Sequence, residues 1–355
     1  NTGRITTSET TTFTNVDNKN GGDISNSGTT TYNTIANNGT MTLAGVTNLN
    51  GTITGSGIMN LGGTVNLNSV LQESMNIRFA NQTTSLNIND GSELNLNRGD
   101  SWTTGRIIMN TDTGIINYKD LTNTGGTLQA RNGYLNIISG SLTIANSSSI
   151  AEDVKVSILQ NSTLGVDGGR IFINDNDSWV GGINLISGDL TITSIPNNGK
   201  LTTSGGTLTI SRNTTVEIDN ASTIGKNTTL TNNGTINVTG GTIEIDSNDS
   251  LSGTITATSG TVKVYDRSGS KGLTGTTINV DASHVSDVTV SLTNSSFELN
   301  NNTYDDIYIG NLVINDTQSN IAMNCDPKND KTDIFHVGNQ SSGTLFVSTL
   351  NTNGY

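Results

Sequence analysis

Cysteine, proline and aromatic residues are scarce in this chain of 355 residues. It contains one cysteine, two prolines and two tryptophans, and aromatic residues make up 4% of it. A single cysteine forms no disulfide within the chain, so a small fold held together by disulfides is excluded. No apolar run approaches the roughly 20 residues of a membrane-spanning helix, so we expect no membrane span in this segment.

Charged residues are also few, and one sign dominates. They make up 13% of the chain, and 30 acidic residues against 17 basic ones give a net charge of −13. Proteins that bind nucleic acids or anionic membranes neutralise phosphates with clustered Lys and Arg. No basic stripe is present, so we expect neither nucleic acid nor membrane as a partner of this segment.

The residues that fill the chain are uncharged and polar, mainly Asn, Thr, Ser and Gly. A hydrophobic content of 31% would by itself suggest disorder, but the apolar residues are regularly spaced and charge repulsion is small. Thr favours strands, while Asn favours tight turns and can stack in ladders in which each amide bonds to the next. This composition is typical of a parallel β-helix with a slim core.

Glycines recur at a constant six-residue interval from Gly39 to Gly63, in the stretch GTMTLA-GVTNLN-GTITGS-GIMNLG-GTVNLN. After each glycine, polar and mostly apolar residues alternate, which indicates a short strand with one inner face. A strand–turn unit repeated at fixed spacing predicts a solenoid in which each coil stacks on a copy of itself. The residues that the alternation places on the inner face are Met41, Leu43, Thr47, Leu49, Ile53, Met59, Leu61, Val65 and Leu67.

The rhythm becomes looser further along the chain but continues to about Gly260. Strands that begin with glycine follow one another at a nearly constant interval, as between Gly188 and Gly206 and between Gly234 and Gly253. A coil of roughly 18–20 residues accommodates three short strands and three turns. We therefore predict an all-β fold, a right-handed parallel β-helix, with irregular or capping coils at 1–35, a stem at 36–303 and C-terminal coils or a cap at 304–355.

A longer repeat is superimposed on the coils. Each copy has an alternating strand, then Asp-Ser-Trp or Asp-Ser-Leu, a glycine and a β-branched residue. The three copies span residues 92–107, 170–183 and 242–255. Their aspartates are Asp100, Asp177 and Asp249, and the equivalent turn ends in Asp each time. The integrin-type tripeptide Arg98-Gly99-Asp100 is therefore interpreted as one version of a structural turn.

The stretch GRIFINDNDSWVGGINLISGDLTI at 169–192 resembles the passenger-associated transport repeat of bacterial autotransporters. The matching positions are Gly169, Asp177, Ser178, Trp179, Gly181, Gly182, Gly188 and Leu190. The copy at 92–107 lacks the double glycine, and the copy at 242–255 has Leu251 in place of the aromatic residue. The tail at 333–350 also resembles the end of a passenger. The resemblance implies a right-handed β-helix that is exported and displayed outside a bacterial cell, and the start at Asn1 is interpreted as a segment whose secretion signal has been removed.

Catalytic signatures are fragmentary. The resemblance to galacturonan hydrolases is limited to Asn110-Thr111-Asp112 and Asp305-Asp306, which we expect to lie too far apart to act as an acid–base pair. The two histidines, His284 and His336, have no triad or zinc-ligand context, and His336 is predicted to face solvent on a strand. We therefore predict no catalytic residues.

Metal and sugar sites receive similarly little support. The segments Asp17–Gly21 and Asp326–Asp330 mimic the start of an EF-hand loop, but Lys occupies the third position of both, where an oxygen ligand is required. The repeated aspartates are explained by Asx turns. Trp102 and Trp179 are predicted to cover coil corners, with the indole N–H reaching a backbone carbonyl, rather than to stack on sugars. No metal site, cofactor site or cofactor is predicted.

The sequence thus predicts a non-enzymatic extracellular surface protein, an adhesin or aggregation-type passenger, located outside the cell or displayed on the outer membrane. Its partners would be molecules on host or neighbouring cells, or further copies of itself. A structural subunit of an extracellular filament or matrix fibre is the alternative, because the end coils of a β-helix present strand edges. A polysaccharide-degrading β-helix enzyme is the second alternative.

Overall fold

A computed structural model describes most of the chain. The described residues are 1–72, 74–121, 125–145, 147–194, 199–246, 248–251, 253–265, 277–280, 288–293, 296–298, 306–314, 320–326, 329, 331–342 and 346–352. These residues form strands and turns, with no helix among them, so none of them belongs to a helix that could cross a membrane. Two candidates from the sequence, His284 and Asp305, lie outside the described residues, as do Pro327, Lys328 and Asp330 of the second EF-hand-like segment.

The chain divides into two compact units, Asn1–Ile183 and Asn184–Tyr355. The strands up to the end of the first unit are β1 (Arg4–Thr7), β2 (Thr11–Phe13), β3 (Val16–Asn18), β4 (Asp23–Asn26), β5 (Thr29–Tyr32), β6 (Ile35–Asn37), β7 (Thr40–Leu43), β8 (Val46–Leu49), β9 (Ile53–Thr54), β10 (Ile58–Leu61), β11 (Thr64–Leu67), β12 (Val70–Leu71), β13 (Asn76–Phe79), β14 (Ser85–Ile88), β15 (Glu93–Leu96), β16 (Arg106–Lys119), β17 (Thr127–Ala145), β18 (Ser149–Ile150), β19 (Val154–Ile158), β20 (Ser162–Ile173) and β21 (Ser178–Trp179).

The remaining strands are β22 (Gly182–Ile192), β23 (Lys200–Thr203), β24 (Thr207–Ile210), β25 (Thr215–Ile218), β26 (Thr223–Ile224), β27 (Thr229–Asn232), β28 (Thr235–Ile245), β29 (Ser250–Leu251), β30 (Thr254–Tyr265), β31 (Thr277–Val280), β32 (Val288–Thr293), β33 (Ser296–Glu298), β34 (Asp306–Ile314), β35 (Asn320–Asp326), β36 (Lys331–Thr332), β37 (Ile334–Ser342) and β38 (Phe346–Thr352). Both units are parallel β-solenoids, which confirms the predicted fold class.

In the first unit each early coil contributes three strands, and every third strand stacks in parallel on the one before it. One wall is the series β1, β4, β7, β10 and β13. A second wall is β2, β5, β8, β11 and β14, and a third is β3, β6, β9, β12 and β15. This is the coil of three strands and three turns that the glycine spacing predicts.

Coil length follows from the register between stacked strands. On the first wall the register runs through Arg4, Asp23, Thr40, Ile58 and Asn76, so the early coils differ only slightly in length. Some later coils are longer, as the pairing of Ser85 with Arg106 shows in the first unit and that of Thr207 with Thr229 shows in the second. The stacked strands stay in register because the additional residues are taken up by turns, which tolerate insertions.

The core is a column of aliphatic side chains, one layer per coil. All nine inner-face positions predicted from the six-residue rhythm are buried, with exposures of 1% or less. Thr47 is the polar member of this set, and its hydroxyl accepts a hydrogen bond from Asn26 Nδ2 of the preceding coil at 3.1 Å. A polar side chain can occupy this narrow core because its partner lies directly across the coil interface.

The glycines that mark the six-residue rhythm have a spatial role. A Cβ built on Gly51 would lie 1.5 Å from the carbonyl oxygen of Asn33, and one on Gly63 would lie 2.1 Å from that of Gly45. The same holds for Gly39, Gly45 and Gly57, whose Cβ atoms would lie 2.0 to 2.3 Å from a carbonyl oxygen. These five glycines do not have positive φ, so they are required because the corner of the preceding coil approaches too closely for a side chain.

The second unit continues the same construction within itself. β24 stacks on β27 and β27 on β29, while β25 stacks on β28 and β28 on β30, all in parallel. The tail contains the strands β37 and β38, which pair in parallel with β34 and β35 respectively. The short strand β36 pairs antiparallel with β35, unlike the other pairs recorded for the described strands.

We predict that Gly63→Ala destabilises the protein while Gly62→Ala is tolerated. The added methyl at Gly63 meets a backbone carbonyl that cannot rotate away, whereas at Gly62 the nearest heavy atom is 3.5 Å from the new Cβ. We expect the free energy of unfolding, measured by urea titration, to fall by about 2 kcal/mol or more for Gly63→Ala and by less than about 1 kcal/mol for Gly62→Ala. Equal losses for these neighbours would show that coil stacking does not determine the glycine rhythm.

Candidate functional site

The repeated aspartates hold the turns of adjacent coils together. Asp177 Oδ1 accepts the backbone N–H of Val156 at 2.7 Å, and Oδ2 accepts that of Asn174 at 2.8 Å. Val156 lies in the preceding coil, whereas Asn174 begins the turn that Asp177 ends. The carboxylate therefore joins its own turn to the coil before it.

The other two copies repeat this geometry. Asp100 accepts the N–H groups of Ile77 and Asn97 at 2.6 and 2.7 Å, and Asp249 accepts those of Leu230 and Asp246 at 2.8 Å each. The residue three positions before each aspartate starts an Asx turn, as when Asn174 Oδ1 accepts the N–H of Asn176 at 2.8 Å. The predicted role of these residues in forming turns is confirmed. The hydrogen bond from each repeated aspartate to the preceding coil was not predicted from the sequence.

This geometry removes Asp100 from the surface. Its side chain is 6% exposed and both carboxylate oxygens accept backbone N–H groups. An integrin-type tripeptide requires a carboxylate that projects towards its partner. Arg98-Gly99-Asp100 is therefore a structural turn, as predicted.

The burial of these carboxylates changes their acidity. Burial raises the pKa of Asp177 to about 6, against the opposing effect of the two backbone N–H groups, which favour the charged form. The pKa of Asp100 is raised to about 6 for the same reason. The fold thus places two carboxyl groups where they titrate near neutral pH.

Both tryptophans are buried, so their rings are not available to stack on a sugar. Trp179 is 3% exposed and its indole N–H donates to the carbonyl of Gly181 at 3.1 Å, as predicted. Trp102 packs on Phe79 with ring centroids 6.1 Å apart, and its ring covers Gly126, where a Cβ would lie 1.9 Å from Nε1. The predicted backbone acceptor for Trp102 is wrong, since its Nε1 has no partner among the described residues.

Asparagine ladders line the outer walls of the first unit. Asn66 Nδ2 donates to Asn48 Oδ1 at 2.8 Å, and Asn87 Nδ2 donates to Asn66 Oδ1 at 2.7 Å. The predicted ladders are therefore present, and in each the amide donates to the preceding coil. Two further ladders join Asn50, Asn68 and Asn89, and Asn95, Asn117 and Asn136, at 2.6 to 2.8 Å.

A surface cavity of about 400 Å³ crosses three consecutive coils of the first unit. Its coils are aligned by the register that places Ile115 beside Tyr134 and Tyr134 beside Lys155. The cavity is lined by Asp112, Asn132, Gly133, Tyr134, Asp153 and Lys155. These six residues could not be grouped from the sequence, because they lie on coils whose length varies along the chain.

The remaining candidates are placed as follows. Asp112, from the fragment that resembles galacturonan hydrolases, is exposed and accepts a hydrogen bond from Asn132 Nδ2 at 2.6 Å. His336 is exposed on β37, as predicted. Within the described part of the chain, His, Cys, Asp and Glu side chains form no cluster of three that could hold a metal ion. In the first EF-hand-like segment, the carboxylate of Asp17 forms an ion pair with Lys19 Nζ at 2.6 Å.

No family model matches the chain, and no curated protein matches it either. The resemblance to autotransporter passengers therefore has support at the level of the β-solenoid fold.

The acidity of Asp177 predicts an unusual dependence of stability on pH. The pKa is about 6 in the folded protein against 3.8 for an ordinary Asp, so between these values the folded state holds a proton that the unfolded state releases. The contribution of this group to the free energy of unfolding is largest below pH 3.8 and is lost as pH rises through 6.

We expect the free energy of unfolding of Asp177→Asn, taken relative to that of the wild type, to be higher at pH 7 than at pH 4. Asn does not titrate, whereas the wild type must bury a charged carboxylate at pH 7. The difference in free energy of unfolding between variant and wild type should therefore change by on the order of 1 to 3 kcal/mol from pH 4 to pH 7. Urea unfolding at pH 4, 5, 6 and 7 measures it, with the exposed Asp153→Asn as the matched control. A difference between Asp177→Asn and wild type that stays constant with pH would contradict the prediction.

Proposed function

We propose that this chain is a non-enzymatic extracellular surface protein, the β-helix passenger of a bacterial autotransporter, and that its outer wall acts in adhesion or aggregation. The observation that carries the proposal is the pair of asparagine ladders that reach the surface, Asn48, Asn66 and Asn87 and Asn50, Asn68 and Asn89. They present uncharged polar groups at the regular spacing of stacked strands, about 4.8 Å.

The ladders leave hydrogen-bonding capacity for a partner. An Asn amide has two N–H donors and an oxygen with two acceptor positions, and Asn66 uses one of each within its ladder. Because the coil holds each amide in place, little side-chain freedom remains to be lost when a partner binds. A wall of this kind suits weak contacts repeated over a long surface, which is the mode of binding expected of an adhesin.

Beads coated with the purified chain test this proposal. We expect them to aggregate with one another or to adhere to cells, and to do so more strongly as salt rises from about 10 mM to about 150 mM. The net charge of −13 repels coated surfaces, and the screening length falls from about 30 to about 8 Å over that range. The control is an unrelated acidic protein on the same beads. Coated beads that neither aggregate nor adhere at any salt concentration would refute the proposal.

A filament subunit is the second candidate, and the first coil favours it. Among the described strands, β1, β2 and β3 pair only with β4, β5 and β6, which follow them. Ile5 and Phe13, on the inner side of this coil, are only half-buried, and Phe13 stacks on Tyr32 with centroids 5.3 Å apart. In a purified chain of residues 1–355, an unpaired strand edge over a half-covered core is a surface on which another copy can stack.

If copies stack on this coil, light scattering of the purified chain should rise with concentration and Phe13→Asp should abolish the rise. The substitution places a charge on the inner side of the end coil, where a stacked copy would have to bury it. Thr12→Asp on the same strand is the matched control, since Thr12 is exposed and faces outward. A chain that stays monomeric over the whole concentration range would exclude the filament.

A further inference from the structure

We propose that the cavity on the wall of the first unit, lined by Asp112, Asn132, Gly133, Tyr134, Asp153 and Lys155, is a binding subsite for an uncharged pyranoside sugar. The inference rests on the proposed function and deepens it, because it names the chemical class of the partner that an adhesin of this kind would contact.

The cavity has the size and the floor that a small ligand needs. Its volume of about 400 Å³ lies within the range of roughly 300 to 1,000 Å³ that is usual for ligand pockets. Gly133 contributes no side chain, so backbone forms the floor. Its φ of +99° and the carbonyl of Gly114, 2.7 Å from a would-be Cβ, both require glycine at this position.

One side of the cavity offers an oriented carboxylate. Asn132 Nδ2 donates to Asp112 Oδ1 at 2.6 Å, which fixes the orientation of both side chains. The second oxygen of Asp112 then accepts hydroxyl groups, and Asn132 keeps a carbonyl oxygen and a second N–H for the same purpose. A charged acceptor forms stronger hydrogen bonds to hydroxyl groups than a neutral one, and sugars carry such hydroxyls on adjacent carbons.

The other side combines an aromatic ring with a cation. Tyr134 is 36% exposed, and Lys155 Nζ lies 5.0 Å from its ring centroid and 3.4 Å from its hydroxyl oxygen. The ammonium group thus makes a cation–π contact with the ring at the edge of the cavity. The ring supplies an apolar wall for the C–H groups of a pyranose, while the ammonium keeps further N–H donors for ring or hydroxyl oxygens.

The charges around the cavity determine which sugars fit. Two carboxylates, Asp112 and Asp153, face one ammonium, Lys155, on a chain whose net charge is −13. An acidic sugar would meet net repulsion at this site. A cationic ligand would compete with Lys155 for the ring of Tyr134. The arrangement therefore favours an uncharged pyranoside with several hydroxyls.

The experiment titrates the purified chain with lactose, cellobiose and digalacturonate, using saturation-transfer NMR and calorimetry. We expect lactose, cellobiose or both to bind. Digalacturonate should bind at least about fivefold more weakly than whichever of these two binds more tightly. Tyr134→Ala should weaken binding about tenfold and Asp112→Asn about fivefold, whereas Tyr134→Phe should retain affinity within about threefold. Asp17→Asn, an exposed carboxylate of the first coil, is the matched control and should bind as the wild type does.

Failure of both uncharged disaccharides to bind, or Tyr134→Ala binding as tightly as the wild type, would overturn the subsite. Stronger binding of digalacturonate would overturn the assignment to uncharged sugars. If the subsite fails while coated beads still aggregate or adhere, the proposed function stands without this partner. If the beads fail as well, both proposals fall.

Discussion

The close approach of one coil to the next is the constraint on which this structure depends. Parallel strands must come within hydrogen-bonding distance at every wall, and the corners that join the walls then leave no room for a side chain. At Gly51 a single Cβ atom would lie 1.5 Å from a carbonyl of the coil before it. The six-residue spacing of glycines from Gly39 to Gly63 follows from this contact, which recurs at each of the five corners of that stretch.

The same constraint explains the polar character of the chain. A narrow core has few positions, and many are close to the backbone of the next coil, so a short polar side chain can reach a partner there. Asp177 satisfies two backbone N–H groups, and Thr47 receives the amide of Asn26. A low hydrophobic content is therefore compatible with a folded chain, because buried polar groups such as these are paired across the coil interface.

The fold could be predicted from the sequence because its two periods are short. Alternation in each strand gave the inner face, and the glycine spacing gave the coil. Contacts between particular residues on adjacent coils could not be predicted, because they depend on the length of individual turns. Asp177 contacts a residue 21 positions earlier and Asp249 one 19 positions earlier, so a coil of fixed length does not identify both partners. The contact between Tyr134 and Lys155 escaped prediction for the same reason, since the coil that separates them is longer than the early ones.

The asparagine ladders run in one direction. Each amide-to-amide hydrogen bond of the outer ladders runs from the Nδ2 of one coil to the Oδ1 of the coil before it, as from Asn87 to Asn66 and from Asn66 to Asn48. The amide dipoles therefore add instead of cancelling, as peptide dipoles do along a helix. In the ladder of Asn48, Asn66 and Asn87 both ends contact a hydroxyl group, since Asn48 Nδ2 donates to Thr31 Oγ1 at 3.4 Å and Asn87 Oδ1 accepts from Ser85 Oγ at 3.3 Å. Each column therefore has a direction, with its donors pointing towards the start of the chain and its acceptors towards the end.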